Sequence, residues 1–444
     1  MEDRDLYYAK RLSQMIQCKT VSLKDGFKEE EFLKLRNVIK ELFPLMTNKA
    51  SLTILGDDAY LYKITGMDET RNVMVMSHHD VVDASGEWKQ PPFGGVIEDG
   101  KLWGRGTVDT KTPLFAEFSA IEELLNEGYE FPVNLYLFSS HNEETGGDGA
   151  ILALDYFKEN NITFEWIIDE GGAVIDPPMA GINSKCAMMA VHENGRCTAQ
   201  LIASNKQGHA GLAGNHQTPV MRMAAFITEM DQKKPFIRKL HPEVKGMFEA
   251  LGPHMKFPMN FVFKNLWLFS RLLIKLMPKL NAAAGEMLGT GCTYRNISTE
   301  KDGTCTAEAF LRCINGTDLD QDLNTMKQVA SKYDIEVVVK ENEYYTPASL
   351  ESKGYKYIKK NVEGIFDYAI AAPFILPAGT DARRFTELTD TTIRFAPIDI
   401  NSQQYSSVHR ENENISVDKI HLAVDFYKEL FEYPHSTGDY QNKK

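Results

Sequence analysis

The apolar positions of this chain change their period as the chain advances, and each period predicts an element. Near the N-terminus Leu6, Ala9, Leu12, Met15 and Ile16 share one helical face, and a second helical pattern covers Glu29–Phe43. Alternation then marks strands at Ser51–Leu55 and Tyr60–Ile64, and the unbroken apolar run Val73–Met76 reads as a buried strand. Leu114, Phe115, Phe118, Ile121, Leu124 and Leu125 return to helical spacing, with Thr112-Pro113 as a start signal. A strand at Val133–Phe138, a helix at Ala150–Phe157 and a strand at Trp166–Ile168 follow. Strands and helices that alternate in this way predict an α/β fold, a mostly parallel sheet with helices on both faces.

Near residue 190 the texture changes. Arg196–Ser204 and Thr304–Arg312 alternate as half-buried strands, Pro219–Met230 and Leu319–Tyr333 are helical, and Ile335–Lys340 is a further strand. The α/β texture resumes with a helix at Leu350–Val362 and a strand at Ala371–Leu376. The expected organisation is one α/β domain built from residues 1–188 and 343–444, interrupted by a smaller α+β domain over 189–342. At 444 residues the chain exceeds the size at which a single core stops growing, which agrees with two domains.

Composition narrows the function. With 43% hydrophobic and 25% charged residues the chain is an ordinary globular protein, and a net charge of −13 argues against a nucleic-acid partner. Met1–Lys10 is polar with no apolar signal core behind it, so the expected location is cytoplasmic. The six cysteines show no CxxC spacing and read as buried small hydrophobes in a reducing compartment. Phe257–Leu280 is rich in large apolar residues but broken by Lys264, Arg271, Lys275 and two prolines, so no transmembrane segment is expected. Leu266, Phe269, Leu272, Leu273, Leu276 and Met277 instead suit one amphipathic helix. Such a face fits a domain or dimer contact, a membrane surface, or the acyl side of a substrate cleft.

Chemistry gathers where strands end. Ser77-His78-His79-Asp80 follows Asn72–Met76, His141-Asn142-Glu143-Glu144 follows Val133–Phe138, and Asp169-Glu170-Gly171-Gly172 follows Trp166–Ile168. In open α/β sheets ligands bind outside the carboxyl ends of strands, and these are imidazole and carboxylate clusters, so a metal hydrolase is indicated. His78 and Asp80 lie two apart and face the same side, so one can ligate while the other orients it; His79 faces the other way. Asp109 sits in the glycine-punctuated turn Gly104–Lys111, where close backbone approach suits a bridging carboxylate. The glycines are followed by a carboxylate rather than the Lys-Ser/Thr of a phosphate loop. Of the adjacent Glu143 and Glu144, one can coordinate while its neighbour stays free to accept a proton. His409 lies in a polar loop near the far end.

Taken in order, SHHDVVD at Ser77–Asp83, the segment Trp88–Lys111, HNEETGG at His141–Gly147, IIDEGG at Ile167–Gly172, GHAG at Gly208–Gly211, GTDARRF at Gly379–Phe385 and SVHRENE at Ser407–Glu413 resemble one family. It is that of the co-catalytic zinc peptidases and amidohydrolases related to carboxypeptidase S, carboxypeptidase G, dipeptidase V, aminoacylase and succinyl-diaminopimelate desuccinylase. Trp88–Lys111 is most similar to the carboxypeptidase S branch, which includes N-fatty-acyl amino acid hydrolases. The resemblance implies a catalytic domain with an inserted lid or dimerisation domain, and two zinc ions per chain, with cobalt or manganese as substitutes. Carried over, His78, Asp109 and Asp169 would hold one ion, and Asp109, Glu144 and His409 the other. Glu143 would be the general base, Asp80 would steer His78, and His209 in the lid would donate to the oxyanion. Arg312 would hold the substrate carboxylate, with Gly379 and Thr380 lining the same site. The chain departs from the family in the lid, at Asn296–Thr299 and Gly208–Gly211, and in carrying Arg410 after His409. The implied reaction is hydrolysis of an amide bond in a small peptide or N-acyl amino acid with a free carboxylate. A dipeptidase or tripeptidase that needs a free amine is the alternative enzyme, and a metal-binding scaffold without activity the alternative class. A homodimer through the inserted domain is also compatible.

Overall fold

The computed structural model describes residues 2–23, 27–205, 218–280, 285, 287–314 and 316–433. They form two compact units, one of residues 1–192, 249–260 and 347–444, the other of residues 193–248 and 261–346.

The first unit is built on a nine-stranded sheet. Its strands are β1 (Ser51–Leu55), β2 (Ala59–Ile64), β3 (Asp68–Met76), β6 (Val133–Ser139), β7 (Ile167–Asp169), β8 (Val174–Ile175), β9 (Cys186–Glu193), β14 (Ile370–Leu376) and β15 (Thr392–Arg394). The order is β1-β2-β6-β3-β7-β15-β9-β14, with β8 on β9. The central strands β6, β3, β7 and β15 run parallel, and antiparallel pairs lie outside them. Successive residues of these strands enter opposite cores. Val73, Val75, Leu135, Leu137 and Ile168 pack with the helices Glu2–Ile16, Glu29–Leu42, Lys111–Asn126, Lys353–Ile365 and Ile420–Phe431. Met74, Met76, Tyr136, Phe138 and Ile167 pack with Ala150, Ala153 and Phe157 of the helix Gly149–Glu159. Full burial of one such side chain contributes about 1.5–3 kcal/mol. A strand buried on both faces therefore has room for polar chemistry only past its end.

A small antiparallel sheet of β16 (Asn414–Ser416), β5 (Lys101–Trp103) and β4 (Val96–Glu98) completes this unit. Each of its strands is three residues long, too short for hydropathy to reveal, and the sequence patterns assign none of them. It matters because pairing of Asn414 with Trp103 sets the loop before β16 against the turn after β5.

The second unit has four antiparallel strands in the order β11-β12-β10-β13, namely β10 (Gly195–Ala203), β11 (Gly291–Thr299), β12 (Cys305–Cys313) and β13 (Glu336–Glu343). One face is apolar: Cys197, Ala199, Leu201, Ala307, Ala309 and Leu311 pack with the helices Pro219–Lys233 and Gly316–Ser331. Thr218 begins the first of these helices, its hydroxyl accepting from the Met221 N–H at 3.4 Å, with Pro219 in the first turn.

The apolar stretch forms the helices Met259–Lys264 and Leu266–Leu280, but its expected single face is split. Leu266, Leu273 and Met277 are buried, whereas Leu272 and Leu276 are exposed. A helix apolar over most of its circumference does not declare from its spacing which side is covered.

Candidate metal centre

Strand order explains why distant motifs meet. β6, β3 and β7 are neighbours and parallel, with Met76 beside Phe138 and Val75 beside Ile168. Their carboxyl ends release Ser77–Asp80, Ser140–Glu144 and Asp169–Gly172 along one edge, at a strand spacing of about 4.8 Å. Close packing there needs glycine. A Cβ on Gly172 would stand 2.1 Å from the Met188 carbonyl oxygen, and a Cβ on Gly106, whose φ is +88°, would stand 2.9 Å from Val81.

His78 is held from both sides of its ring. Nδ1 lies 3.0 Å from the Asp80 carbonyl oxygen and 3.3 Å from its carboxylate, which leaves Nε2 facing Asp109 Oδ1 at 3.0 Å. Asp80 also accepts from the backbone N–H groups of Glu143 and Glu144, at 3.2 and 3.1 Å. One buried carboxylate thus fixes the imidazole and the acid-bearing turn together. His79, between His78 and Asp80 past the strand end, points away from them: its ring stacks on Tyr60 at 4.2 Å and its Nδ1 bonds the Ser139 hydroxyl at 2.8 Å.

Asp109 lies between the two imidazoles. Its Oδ1 faces His78, and its Oδ2 lies 3.0 Å from Nε2 of His409. That same nitrogen is 3.0 Å from Glu144 Oε2. His409 and Asn412 have φ of +59° and +63°, left-handed conformations that turn the 406–412 loop. Donor atoms of His78, Asp109 and Glu144 all fall within 4.8 Å of one another. Asp169, Glu143, Ser140 and Asp381 line a small cleft with His78, Met76, Ser77 and Phe138. Asp169 accepts from the N–H groups of Glu170 and Ala382, at 2.8 and 2.9 Å.

The electrostatics are those of a site short of positive charge. Burial pushes the Glu143 carboxyl well above its usual range, and Asp381, Asp80 and Asp109 push the same way. Burial, together with Asp381, lifts Asp169 to about 7, and burial with Asp109 and Asp169 lifts Glu170. The imidazoles of His78 and His409 are raised as well, which for them favours the charged form. Burial disfavours charge on His78, yet Asp109 and Asp80 outweigh it and hold its pKa well above normal; Asp109 and Glu144 hold His409 up at about 10.

A divalent cation fits this donor set. A single imidazole nitrogen has one proton at most, yet His409 Nε2 meets two carboxylate oxygens at 3.0 Å, as ligands do when they converge on an ion. Glu144 Oε1 is buried with no hydrogen-bond partner, an acceptor left for such an ion. The mixture of imidazole and carboxylate suits zinc and its neighbours.

Several residues that shape this centre were not assigned from the sequence. Glu413 is buried in the turn that carries Asp109: its Oε1 accepts from the N–H groups of Val108 and Asp109 at 2.7 and 3.1 Å, and its Oε2 from Arg105 Nη1 and the Gly106 N–H at 2.6 and 3.1 Å. Asp381 is buried beside the cleft and accepts from the Ser140 hydroxyl. Its position directly after Gly379 and Thr380, in a run already singled out, was the available signal. Thr380 is buried and Gly379 partly so. Arg312 lies on β12 of the second unit, on the face opposite its apolar core. His209 falls outside the described residues.

A mostly parallel central sheet with acidic and imidazole side chains gathered at its carboxyl edge, in a chain with a second α+β unit, is the arrangement of a metal-dependent hydrolase. The family model for the peptidase family M20/M25/M40 matches residues 74–433, and the chain belongs to that family. It is 28% identical over 446 residues to a probable carboxypeptidase S-like protein 2 of Dictyostelium discoideum, covering 96% of this chain and 85% of the relative. It is 29% identical over 406 residues to an N-fatty-acyl-amino acid synthase/hydrolase of Xenopus tropicalis, covering 89% and 79%. Among solved structures, an M20 family metallo-carboxypeptidase from Sulfolobus solfataricus shares the fold, with a TM-score of 0.64, 19% identity and coverage of 96% and 98%. No helix among the described residues is long and apolar enough to cross a membrane.

Proposed function

We propose that the protein is a dinuclear zinc hydrolase that cleaves the amide bond of an N-acyl amino acid or small peptide bearing a free carboxylate. The observation that carries this reading is Asp109, one oxygen directed at each of two imidazoles, with Glu144 converging on the second. In this reading His78, Asp109 and Asp169 hold one ion, and Asp109, Glu144 and His409 the other. Bound there, two ions would supply Lewis acidity to the substrate carbonyl and acidify the attacking water.

The remaining work falls to the chain. Glu143 takes a proton from the attacking water onto its carboxylate and passes it to the departing amide nitrogen. Burial raises its affinity for that proton, and Asp80 steadies both its backbone and His78. His209 is the proposed oxyanion donor, and Arg312, Gly379 and Thr380 the proposed holders of the substrate carboxylate. All six cysteines are free, which supports the cytoplasm as the working compartment.

Similarity to a carboxypeptidase S-like protein and to N-fatty-acyl-amino acid synthase/hydrolases favours a substrate recognised by its free carboxylate over one recognised by its free amine. The purified zinc-loaded protein should release amino acids from N-acyl amino acids and from amine-blocked dipeptides. Release from unblocked dipeptides or tripeptides alone would assign it to the free-amine peptidases, and release from none of them would leave a scaffold.

A further inference from the structure

The helix Leu266–Leu280 presents an outward face that is apolar and cationic at once. Trp267, Leu268, Leu272 and Leu276 are 81%, 56%, 50% and 39% exposed, while Leu266, Leu273 and Met277 anchor the helix from its buried side. Leu268, Leu272 and Leu276 follow at i, i+4 and i+8 and so form one continuous stripe. Lys264, Trp267, Arg271 and Lys275 run beside it and are all exposed. Phe261, also exposed, extends the apolar area and packs its ring on Phe269 at 5.8 Å between centroids. From Ala250 to Gly285 the sequence contains no Asp or Glu but does contain Lys256, Lys264, Arg271, Lys275 and Lys279, in a chain whose net charge is −13.

We infer that this face binds the surface of a phospholipid bilayer carrying anionic headgroups. The charge pattern selects that occupant. Anionic phosphates and carboxylates complement a basic stretch free of acids, whereas a second copy of the same face would set cations against cations. Isolated leucines on a surface need no explanation, but a leucine stripe flanked by basic residues and a tryptophan is the pattern of an in-plane membrane helix. The leucines enter the boundary between headgroups and acyl chains, Trp267 sits at headgroup level, and the basic side chains snorkel to the phosphates. At about 1.5 Å per residue the helix is roughly 22 Å long, shorter than the ~30 Å hydrocarbon core, so it lies on the bilayer and does not span it.

Vesicle sedimentation of the full-length protein tests this. The wild type should pellet with vesicles of phosphatidylcholine containing about one-third phosphatidylserine, at least tenfold more than with phosphatidylcholine alone, and raised salt should release it. The double variant Leu268→Gln/Leu272→Gln should lose roughly tenfold or more of this binding at any salt. Lys264→Ser/Lys275→Ser should lose the preference for phosphatidylserine, roughly fivefold per charge. All four substituted side chains are exposed, so unchanged circular dichroism and unchanged hydrolysis of a soluble substrate should accompany both effects. A wild type that stays in the supernatant with the anionic vesicles overturns the inference, as does pelleting unchanged in both variants. A concentration-dependent dimer, dissolved by Leu268→Gln/Leu272→Gln and indifferent to vesicles, would also overturn it and give the face to a second copy.

Discussion

The two sheets of this molecule bury their residues differently, and the difference decides where each can do chemistry. In the first unit β6 is buried at every position between cores on both faces, and β9 is buried throughout as well, with Ala187, Met189 and Val191 in the first of those cores. In the second unit β12 alternates, with Cys305, Ala307, Ala309, Leu311 and Cys313 inside and Thr306, Glu308, Phe310 and Arg312 partly exposed. A sheet closed on both faces can offer reactive groups only at its edge, and there His78, Glu143, Glu144 and Asp169 emerge. A sheet open on one face can offer that whole face to a ligand or partner. One unit is therefore organised around a point, the other around a surface.

The sharpest way to break this contrast is to neutralise the acids at the point. Glu143→Gln should lower turnover by about two to four powers of ten while metal content stays unchanged, the scale of a lost general base. Glu144→Gln should instead reduce metal content. Equal metal loss in both would overturn the base and ligand assignments.

A second test reaches under the edge. Glu117 is buried and accepts from the Ser77 hydroxyl at 2.8 Å, and burial pushes its carboxyl up to about 8. Its pKa is raised in the folded state, so the unfolded chain ionises first. Stability should fall as pH rises from the unfolded value toward 8. Between pH 5 and 8 the stability difference should move toward Glu117→Gln by roughly 3 kcal/mol, measured by urea unfolding at both values. A difference that does not vary with pH would show Glu117 ionised in the native protein.

Glu413→Gln probes the support of Asp109, the proposed bridging ligand. The carboxamide would set an N–H donor against the N–H groups that Glu413 now accepts from, and metal affinity should drop about 10–100-fold. Unchanged affinity would mean that the Asp109 turn holds its shape alone. The smallest effect belongs to the open face: Thr306→Val removes an exposed hydroxyl contact with Ser298 and should move stability by less than about 0.5 kcal/mol. Leu311→Ala, one strand face away, should cost about 2–5 kcal/mol in the same unfolding assay.

The same contrast separates what the sequence declares from what it conceals. His78, Asp80, Glu143, Glu144 and Asp169 follow apolar runs directly, so local pattern alone places them at strand ends. That the sheet is mostly parallel was legible from the alternation of strands and helices, whereas the order β6-β3-β7 was not. Glu413 was not, because its role rests on a buried pair with Arg105, 308 positions away in the chain, brought together by strands of three residues. Asp381 lies in the motif Gly379–Phe385 without an assignment of its own, because only the fold buries it beside Ser140. In Leu266–Leu280 periodicity gave the helix but could not choose its covered side.

The most direct test is metal stoichiometry. Protein reconstituted with zinc and freed of excess metal should carry about two ions per chain by elemental analysis, His409→Ala about one, and Asp109→Ala close to none. Full activity at a single ion per chain, or two ions retained in Asp109→Ala, would contradict a shared carboxylate at the centre of this site.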